Sequence, residues 1–507
     1  MTLDQELDNL NIMMLLEMAT QAFGDRVAFR CDGESLSYDE LFAAAGQAAV
    51  AIRESGCQHV SMLDESSLAT PVALFASAWA GVPYVPINYR LTDDEISALV
   101  GRIDPVYLIG GKDSIAKVSC KGVVIESSRF LANARSSSAP TEPWSMVPED
   151  IAILLFTSGT TGEPKAAVLR QSHLVSYILG SSDFMSALET DVALVCVPPY
   201  HIAGIASLIS AVYSGRRVVQ LPGFTAESWL DNCAKEQVTS AFVVPTMLTR
   251  IVDNLEGTDK AELPSLNAIS YGGGKMPLAV IERALALFPQ TNFTNAYGLT
   301  ETSSTVTLLT PDAHREALAS ADEKVRRRLT SVGVSLPGIE IEIRDEDGTA
   351  LGPDQSGEVY IRGEQVSGEY VGKGSVLDKD GWFPTRDAGS LDTGGYLFLE
   401  GRADDVIVRG GENMSPGEIE DVLLQHEAVS DVAVIGIPDE QWGEAVAAVV
   451  VLKTGQRVKT SELQIWVKDR MRSSRVPQAM EFWPELPYSE TGKLLRRVVK
   501  AELAEAN

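Results

Sequence analysis

Between residues 150 and 300, short β-branched runs alternate with stretches of helical periodicity, and this alternation restricts the fold more than any other feature of the chain. IAILLF, VALVCV, RRVVQL, TSAFVV, NAISYG and TNFTNAYG have the length and composition of strands. Between them AESWLDNCAKEQ, PTMLTRIVDNL and PLAVIERALALF carry apolar residues at helical spacing. Such alternation builds a parallel sheet, because parallel strands need a long crossover that a helix usually supplies. Residues 1 to 110 show the pattern less cleanly, with helices predicted at DELFAAAGQAAVAIRES and TPVALFASAWAG, and are expected to form a related α/β layer. A short helix predicted over Leu10 to Ala22 packs either on the core or on a second subunit.

From Ser331 to Glu400 the helices stop. IEIEIRD, GEVYIRG and GYLFLEG, separated by Gly and Asp turns, predict a small β subdomain. After Arg402 the pattern resets to helix GEIEDVLLQHE, strands DVAVIGI and AVAAVVVL, and helix SELQIWVKDRMR, a separate α+β domain. The expected class is α/β: a large N-terminal domain, residues 1–402, of layered α/β subdomains plus the β subdomain, followed by a small C-terminal domain, residues 403–507. A chain of 507 residues is longer than one core usually serves, which agrees with this division.

The 42 Lys and Arg set against 70 Asp and Glu leave a formal charge of −28, which argues against non-specific nucleic-acid or membrane binding, since both surfaces are anionic. A polyphosphate ligand must therefore be caught locally. Cys31, Cys57, Cys120, Cys196 and Cys233 are odd in number, scattered and without a C-x-x-C pair, so reduced buried thiols in a cytoplasm are expected. The N-terminus carries acids where a secretory signal would carry Lys or Arg. Val192 to Gly215 runs uncharged for long enough to raise the question of a membrane span, but Pro198, Pro199, His201 and Gly204 divide it into strand, turn and helix.

LLFTSGTTGEPKAAVL, Leu154 to Leu169, is the strongest local signal. A strand enters a loop of Thr157, Ser158, Gly159, Thr160, Thr161 and Gly162 that ends at Lys165. Hydroxyls, unhindered glycine amides and one ammonium are the donors an anionic polyphosphate needs. No G-K-[ST] follows the glycines, so this is not a Walker A loop, and neither G-x-G-x-x-G after a strand nor G-x-S-x-G is present.

The string resembles the phosphate-binding loop of the adenylate-forming superfamily, which includes acyl-CoA synthetases, peptide-synthetase adenylation domains and luciferases. Further motifs follow in that family's order. Asn295, Ala296, Tyr297, Gly298, Leu299, Thr300 and Glu301 contain its Y-G-x-T-E, and Gly272, Gly273 and Gly274 match its adenine-pocket strand. GWFPTRDAG, GRADDVIVRGGENMSPGEIE and PYSETGK match its ribose, hinge and C-terminal lysine segments. The resemblance implies that Tyr297 stacks on adenine, Asp387 accepts from the ribose hydroxyls, Glu301 holds Mg²⁺ and Thr300 donates to the α-phosphate. It also implies that Arg402 lies near the ribose, that Lys493 reaches the acyl carboxylate and α-phosphate, and that the C-terminal domain is mobile about Asp404. Taken singly, Tyr297 could equally be a core residue, Asp387 a turn residue and Glu301 a helix N-terminal acid.

The implied reaction is that of an acyl-CoA ligase using ATP, Mg²⁺ and CoA. Gly410, Gly411 and Trp442 match positions near CoA in related ligases, and Arg475 is the single basic residue kept around Pro477 where those ligases often carry two; residues 468–507 carry eight Lys and Arg against six Asp and Glu, reversing the chain's balance. In the acid pocket, Pro198, Pro199, Tyr200, His201, Ile202, Ala203 and Gly204 match a P-x-x-H-x-x-G stretch in which His201 positions the carboxylate or is a hydrogen-bonded core residue. No Asp stands nearby to pair with an amino-acid ammonium, so an uncharged tail, fatty or aromatic, is expected. Two other readings stay open: a stand-alone adenylation enzyme loading a carrier-protein pantetheine in trans, and a nucleotide-binding regulatory protein without turnover. One departure stands out. The family's T-G-D is Thr385-Arg386-Asp387 here, an arginine in place of glycine.

Overall fold

The computed structural model describes residues 11–136, 142–157, 164–402, 405–409, 412–439, 441–488 and 494–506. Nine strands form the first sheet, in the order Val334–Ser335, Ser304–Leu309, Asn292–Leu299, Ala268–Gly272, Ser240–Val243, Val192–Val195, Arg217–Gln220, Val27–Cys31, Glu34–Ser37. Its interior neighbours are parallel and its edge strands antiparallel. The second sheet has eight: Gly374–Ser375, Glu369–Tyr370, Lys165–Arg170, Ile151–Thr157, Tyr84–Pro86, His59–Leu63, Val106–Gly110, Gly122–Glu126. The helices bury their apolar faces between and around these layers, as strands covered on both faces require.

The strands and helices expected between residues 150 and 300 form where the pattern placed them, but they do not make one sheet. Ile151–Thr157 joins the N-terminal strands, paired antiparallel with Lys165–Arg170, while Val27–Cys31 crosses to lie beside Arg217–Gln220. Both sheets ask for the same kind of strand, apolar and covered by helices, so periodicity identifies strands without identifying their partners. The N-terminal helix, Ile12–Phe23, is a core element: Ile12, Met13, Leu15 and Leu16 are fully buried, Asn11 caps it, and the Ile12 amide donates to the Gln171 side chain. Four cysteines are buried, whereas Cys120, in the loop before the strand Gly122–Glu126, is half-buried.

Glu340–Arg344, Gly357–Arg362, Phe383–Leu391 and Leu397–Arg402 form the antiparallel β subdomain in that order. The C-terminal residues build a separate sheet from Ile407–Arg409, Glu412–Met414, Val429–Asp439, Gly443–Leu452 and Ala479–Phe482, with helices Pro416–Leu424, Thr460–Lys468 and Arg496–Ala506 around their own core. Contacts with the body are local. Lys275 donates to the Gly417 carbonyl at 2.7 Å and to Asp421 at 2.8 Å, and Ser415 donates to the Glu400 carbonyl. Among the described residues no helix is long and apolar enough to cross a membrane.

One buried histidine makes stability depend on pH. His314 is fully buried on Pro311–Ala319; its Nδ1 lies 2.9 Å from the Thr310 carbonyl and its Nε2 2.9 Å from the Tyr271 hydroxyl. A carbonyl only accepts, so Nδ1 carries the proton and Nε2 accepts from tyrosine, leaving the ring neutral. Burial pushes its pKa down to about 4 from 6.5. Between those values the unfolded chain binds the extra proton, so stability rises with pH there and is lost as pH falls from 6.5 toward 4. The expected cost at pH 5 relative to pH 7 is about 2 kcal/mol from this group. Urea unfolding at both pH values should show the difference shrinking in His314→Gln; equal pH dependence in the two chains would refute it.

Candidate functional site

Two neighbouring parallel strands, Ala268–Gly272 and Asn292–Leu299, end at the same edge of the first sheet, the edge where open α/β sheets receive ligands. Their glycines are there because the backbones nearly touch. A Cβ on Gly272 would lie 2.1 Å from the Ala296 carbonyl oxygen, and one on Gly298 would lie 1.7 Å from that of Ser304. Gly272, Gly273 and Gly274 thus leave the sheet directly beside Ala296 to Gly298. Because only backbone surrounds the Gly298 position, Gly298→Ala is expected to destabilise the fold by about 3 kcal/mol, read as a lowered denaturation midpoint. An unchanged midpoint would mean that the two strands separate freely.

Tyr297, 9% exposed, packs in the β-subdomain core, and its hydroxyl donates to Asp387 at 2.6 Å. Burial, then the Asp387 carboxylate, raise the Tyr297 hydroxyl well above its ordinary pKa, so it stays a donor at every working pH. Arg402 stands directly across the β ladder from Asp387 and completes an ion pair at 3.1 Å, while also donating to the Thr385 carbonyl. The carboxylate is therefore held from two sides, with oxygen lone pairs left for a diol.

Glu301 lies in the turn Thr300–Thr302 immediately after Leu299. Its carbonyl accepts from the Ser367 amide, and its Oε1 accepts from the Tyr370 hydroxyl at 2.6 Å. The Lys165 ammonium stands 6.0 Å from the centroid of the same Tyr370 ring, because Tyr370 pairs with Ala167, two residues after Lys165 on its strand. Burial and the Glu301 carboxylate push the Tyr370 hydroxyl up, while Arg386 and Arg402 pull it back. Gln365, 5% exposed, pins the turn from below by donating to the Thr302 and Thr305 carbonyls. The strained residues after it, Ser303 (φ 55°) and Ser304 (φ 121°), are held by this clamp. Neither Tyr370 nor Gln365 was singled out from the sequence, where each sits in a loop-like segment without a diagnostic neighbour.

The other expected residues divide. Thr157 closes the Lys165 hairpin, its Oγ1 3.4 Å from the Lys165 carbonyl. Asn295 is 7% exposed, and its amide donates to the Ser331 carbonyl. His201 caps Ile202–Ser214, its ring against Tyr200, which in turn meets Tyr89 edge-on. On the C-terminal domain, Trp442 is 44% exposed, with the Arg409 guanidinium 5.3 Å from its ring; Arg409 also donates to the Ser474 carbonyl beside Arg475, which pairs with Glu418. Trp442 and Arg475 are thereby brought to one face. Ser158, Gly159, Thr160, Thr161, Gly162, Asp404, Gly410, Gly411 and Lys493 lie outside the described residues.

The chain matches the family models for the AMP-binding enzyme over residues 16–371 and for the AMP-binding enzyme C-terminal domain over residues 418–493. It is 31% identical over 491 residues to the fatty acid–acyl-carrier-protein ligase ScoC of Streptomyces coeruleorubidus, covering 93% of this chain and 92% of that one. It is 30% identical over 487 residues to a feruloyl-CoA synthase of an Amycolatopsis species, covering 93% and 95%. Among solved structures it is similar to o-succinylbenzoate CoA synthetase from Bacillus subtilis in complex with its acyl-adenylate intermediate (TM-score 0.82, 28% identity, 96% and 97% covered). It is also similar to ATP-bound MatB from Rhodopseudomonas palustris (TM-score 0.85, 26% identity, 98% and 100% covered). With both models matched in order along one chain, this protein belongs to the AMP-binding enzyme family.

Proposed function

We propose that the protein is an AMP-forming acid–thiol ligase that activates a carboxylic acid with an uncharged fatty or aromatic tail and passes the acyl group to coenzyme A. The observation that carries this reading is the placement of Tyr297–Asp387–Arg402 and Glu301–Tyr370–Lys165 at the two ends of one short segment, the strand end and turn from Tyr297 to Glu301. The first set suits a ribose, the second a metal-bound polyphosphate. In the first step a substrate carboxylate oxygen attacks the α-phosphorus of ATP, the bond to the β-phosphate oxygen breaks, and pyrophosphate leaves with the electron pair. In the second, the thiol sulfur attacks the acyl carbon, loses its proton, and AMP departs.

Mg²⁺ binds through one or two carboxylates together with substrate phosphates, and Glu301 supplies a carboxylate suited to that set; when bound, the ion neutralises phosphate charge. Lys165 and Lys493 meet the phosphates and the acyl carboxylate, and Asp387 fixes the nucleoside. The aromatic contacts around Tyr200 and His201, with Tyr89, support an apolar acid pocket. Relatives are named for fatty acid, ferulate and indoleacetate, which points the same way.

A carrier-protein pantetheine is the second acceptor to test, because ScoC is named for one. Both acceptors fit a C-terminal domain that turns about Asp404 between the two steps, since the anhydride needs water excluded before a bulky thiol is admitted. Pyrophosphate exchange with a panel of fatty and aromatic acids tests the adenylation, and adding CoA or an acyl-carrier protein separates the acceptors. Absence of acid-dependent exchange across the panel would overturn the reading.

A further inference from the structure

Arg386 occupies a backbone position built for glycine. It has φ 60°, in the left-handed region that favours glycine over any residue with a side chain. The cause is a bulge: opposite Glu358 and Tyr360 the register slips, so that Thr385, Arg386 and Asp387 are squeezed in against Val359. All three residues are pinned there. Thr385 donates to the Val359 carbonyl at 2.7 Å, the Arg386 amide donates to Glu358 at 3.0 Å, and the Asp387 amide donates back to the Thr385 hydroxyl at 3.0 Å.

The bulge turns Arg386 outward while Asp387 stays buried at its side. Among the described residues the Arg386 guanidinium has neither an ion-pair nor a hydrogen-bond partner, although the chain carries a net charge of −28 and most of its arginines are engaged. Its field reaches the Tyr370 hydroxyl, the group that holds Glu301 and lies beneath Lys165. A strained, exposed arginine thus stands next in the chain to Asp387, whose partner Tyr297 runs directly into the turn that carries Glu301.

We propose that Arg386 contacts the β- and γ-phosphates of ATP, and the pyrophosphate that leaves, as a cation supplied by this chain in place of a backbone glycine. The proposal rests on the adenylation reading above. It accounts for a strained residue that the local fold does not need, since glycine would fill the bulge without cost. In so acidic a chain a local cation also offsets the repulsion that a polyphosphate meets on approach. Because AMP lacks the β- and γ-phosphates, the contact acts on the first half-reaction and leaves the thiol step alone.

The test compares Arg386→Gly, Arg386→Asn and Arg386→Lys in the full chain. Gly and Asn both accept a left-handed backbone, so folding is retained, and unfolding midpoints check this. Calorimetric binding of Mg-ATP and of magnesium pyrophosphate is expected to weaken roughly tenfold in the Gly and Asn variants, as for loss of one charge-assisted contact. Binding of AMP should be unchanged, and Lys should recover most of the loss. In the unaltered chain, added salt should weaken pyrophosphate binding more steeply than in Arg386→Gly. Equal weakening for AMP, or no change for pyrophosphate, would overturn the role. Because pyrophosphate binding is read without an acid substrate, failure of this contact is distinguishable from failure of acid-dependent exchange.

Discussion

Lys493→Ala is expected to slow acyl-AMP formation by about 10²- to 10³-fold while leaving thioester formation from supplied acyl-AMP within a few-fold of normal. Negative charge builds on the α-phosphate as pyrophosphate departs, and a cation held at that point stabilises the transition state more than the ground state. The flanking described residues show how such a tip is supported. Tyr488 and Leu494 form an antiparallel bridge, and the Leu495 amide donates to the Pro487 carbonyl at 2.9 Å. Arg496 then ties the start of its helix to the Val434 carbonyl and to Glu420. Tyr488, Glu485 and, from the body, Arg250 line one cleft of about 530 Å³, so Tyr488 lies on the domain face that meets the body. The two half-reactions, followed separately by pyrophosphate exchange and by CoA consumption from synthetic acyl-AMP, check the expectation. Equal loss in both would remove Lys493 from its assigned step.

Asp387→Asn should raise the ATP dissociation constant by roughly 10- to 150-fold, the equivalent of a charge-assisted hydrogen bond of about 1.5–3 kcal/mol. Asparagine keeps the shape and one oxygen for Tyr297, but it loses the charge that Arg402 faces at 3.1 Å and offers an amide donor where a diol needs acceptors. Stability should fall as well, because the residue is 8% exposed and Arg402 loses its partner. Magnesium pyrophosphate has no ribose, so its affinity should hold in Asp387→Asn, the reverse of the pattern expected for Arg386→Gly. Calorimetry with both ligands reads the two residues apart, and retained ATP affinity in Asp387→Asn would refute ribose binding at that carboxylate.

Much of the site was legible in linear order. Lys165, Tyr297, Glu301, Asp387 and Arg402 stand in motifs whose spacing survives without a structure, since each motif is a strand end or a turn that local chemistry determines. Tyr370 was not legible: its use depends on pairing with Ala167 across the second sheet, which places its hydroxyl on Glu301. Asn295 shows the converse, a residue inside a recognised motif whose side chain is spent on the Ser331 carbonyl.

The amino-acid order by itself determined where the called helices and strands between residues 150 and 300 lie and where the antiparallel β segment after Ser331 runs, because periodicity, caps and turn residues act over a few neighbours. It also determined the chemistry available in each motif. Only the tertiary structure decided that Ile151–Thr157, with its hairpin partner Lys165–Arg170, joins the N-terminal strands while Val27–Cys31 crosses the other way. It likewise decided that Arg386 sits on a left-handed bulge pointing outward. Strand partnership and bulge placement depend on which apolar faces find each other between segments well apart in the sequence, and strands of equal composition carry no local mark of that choice.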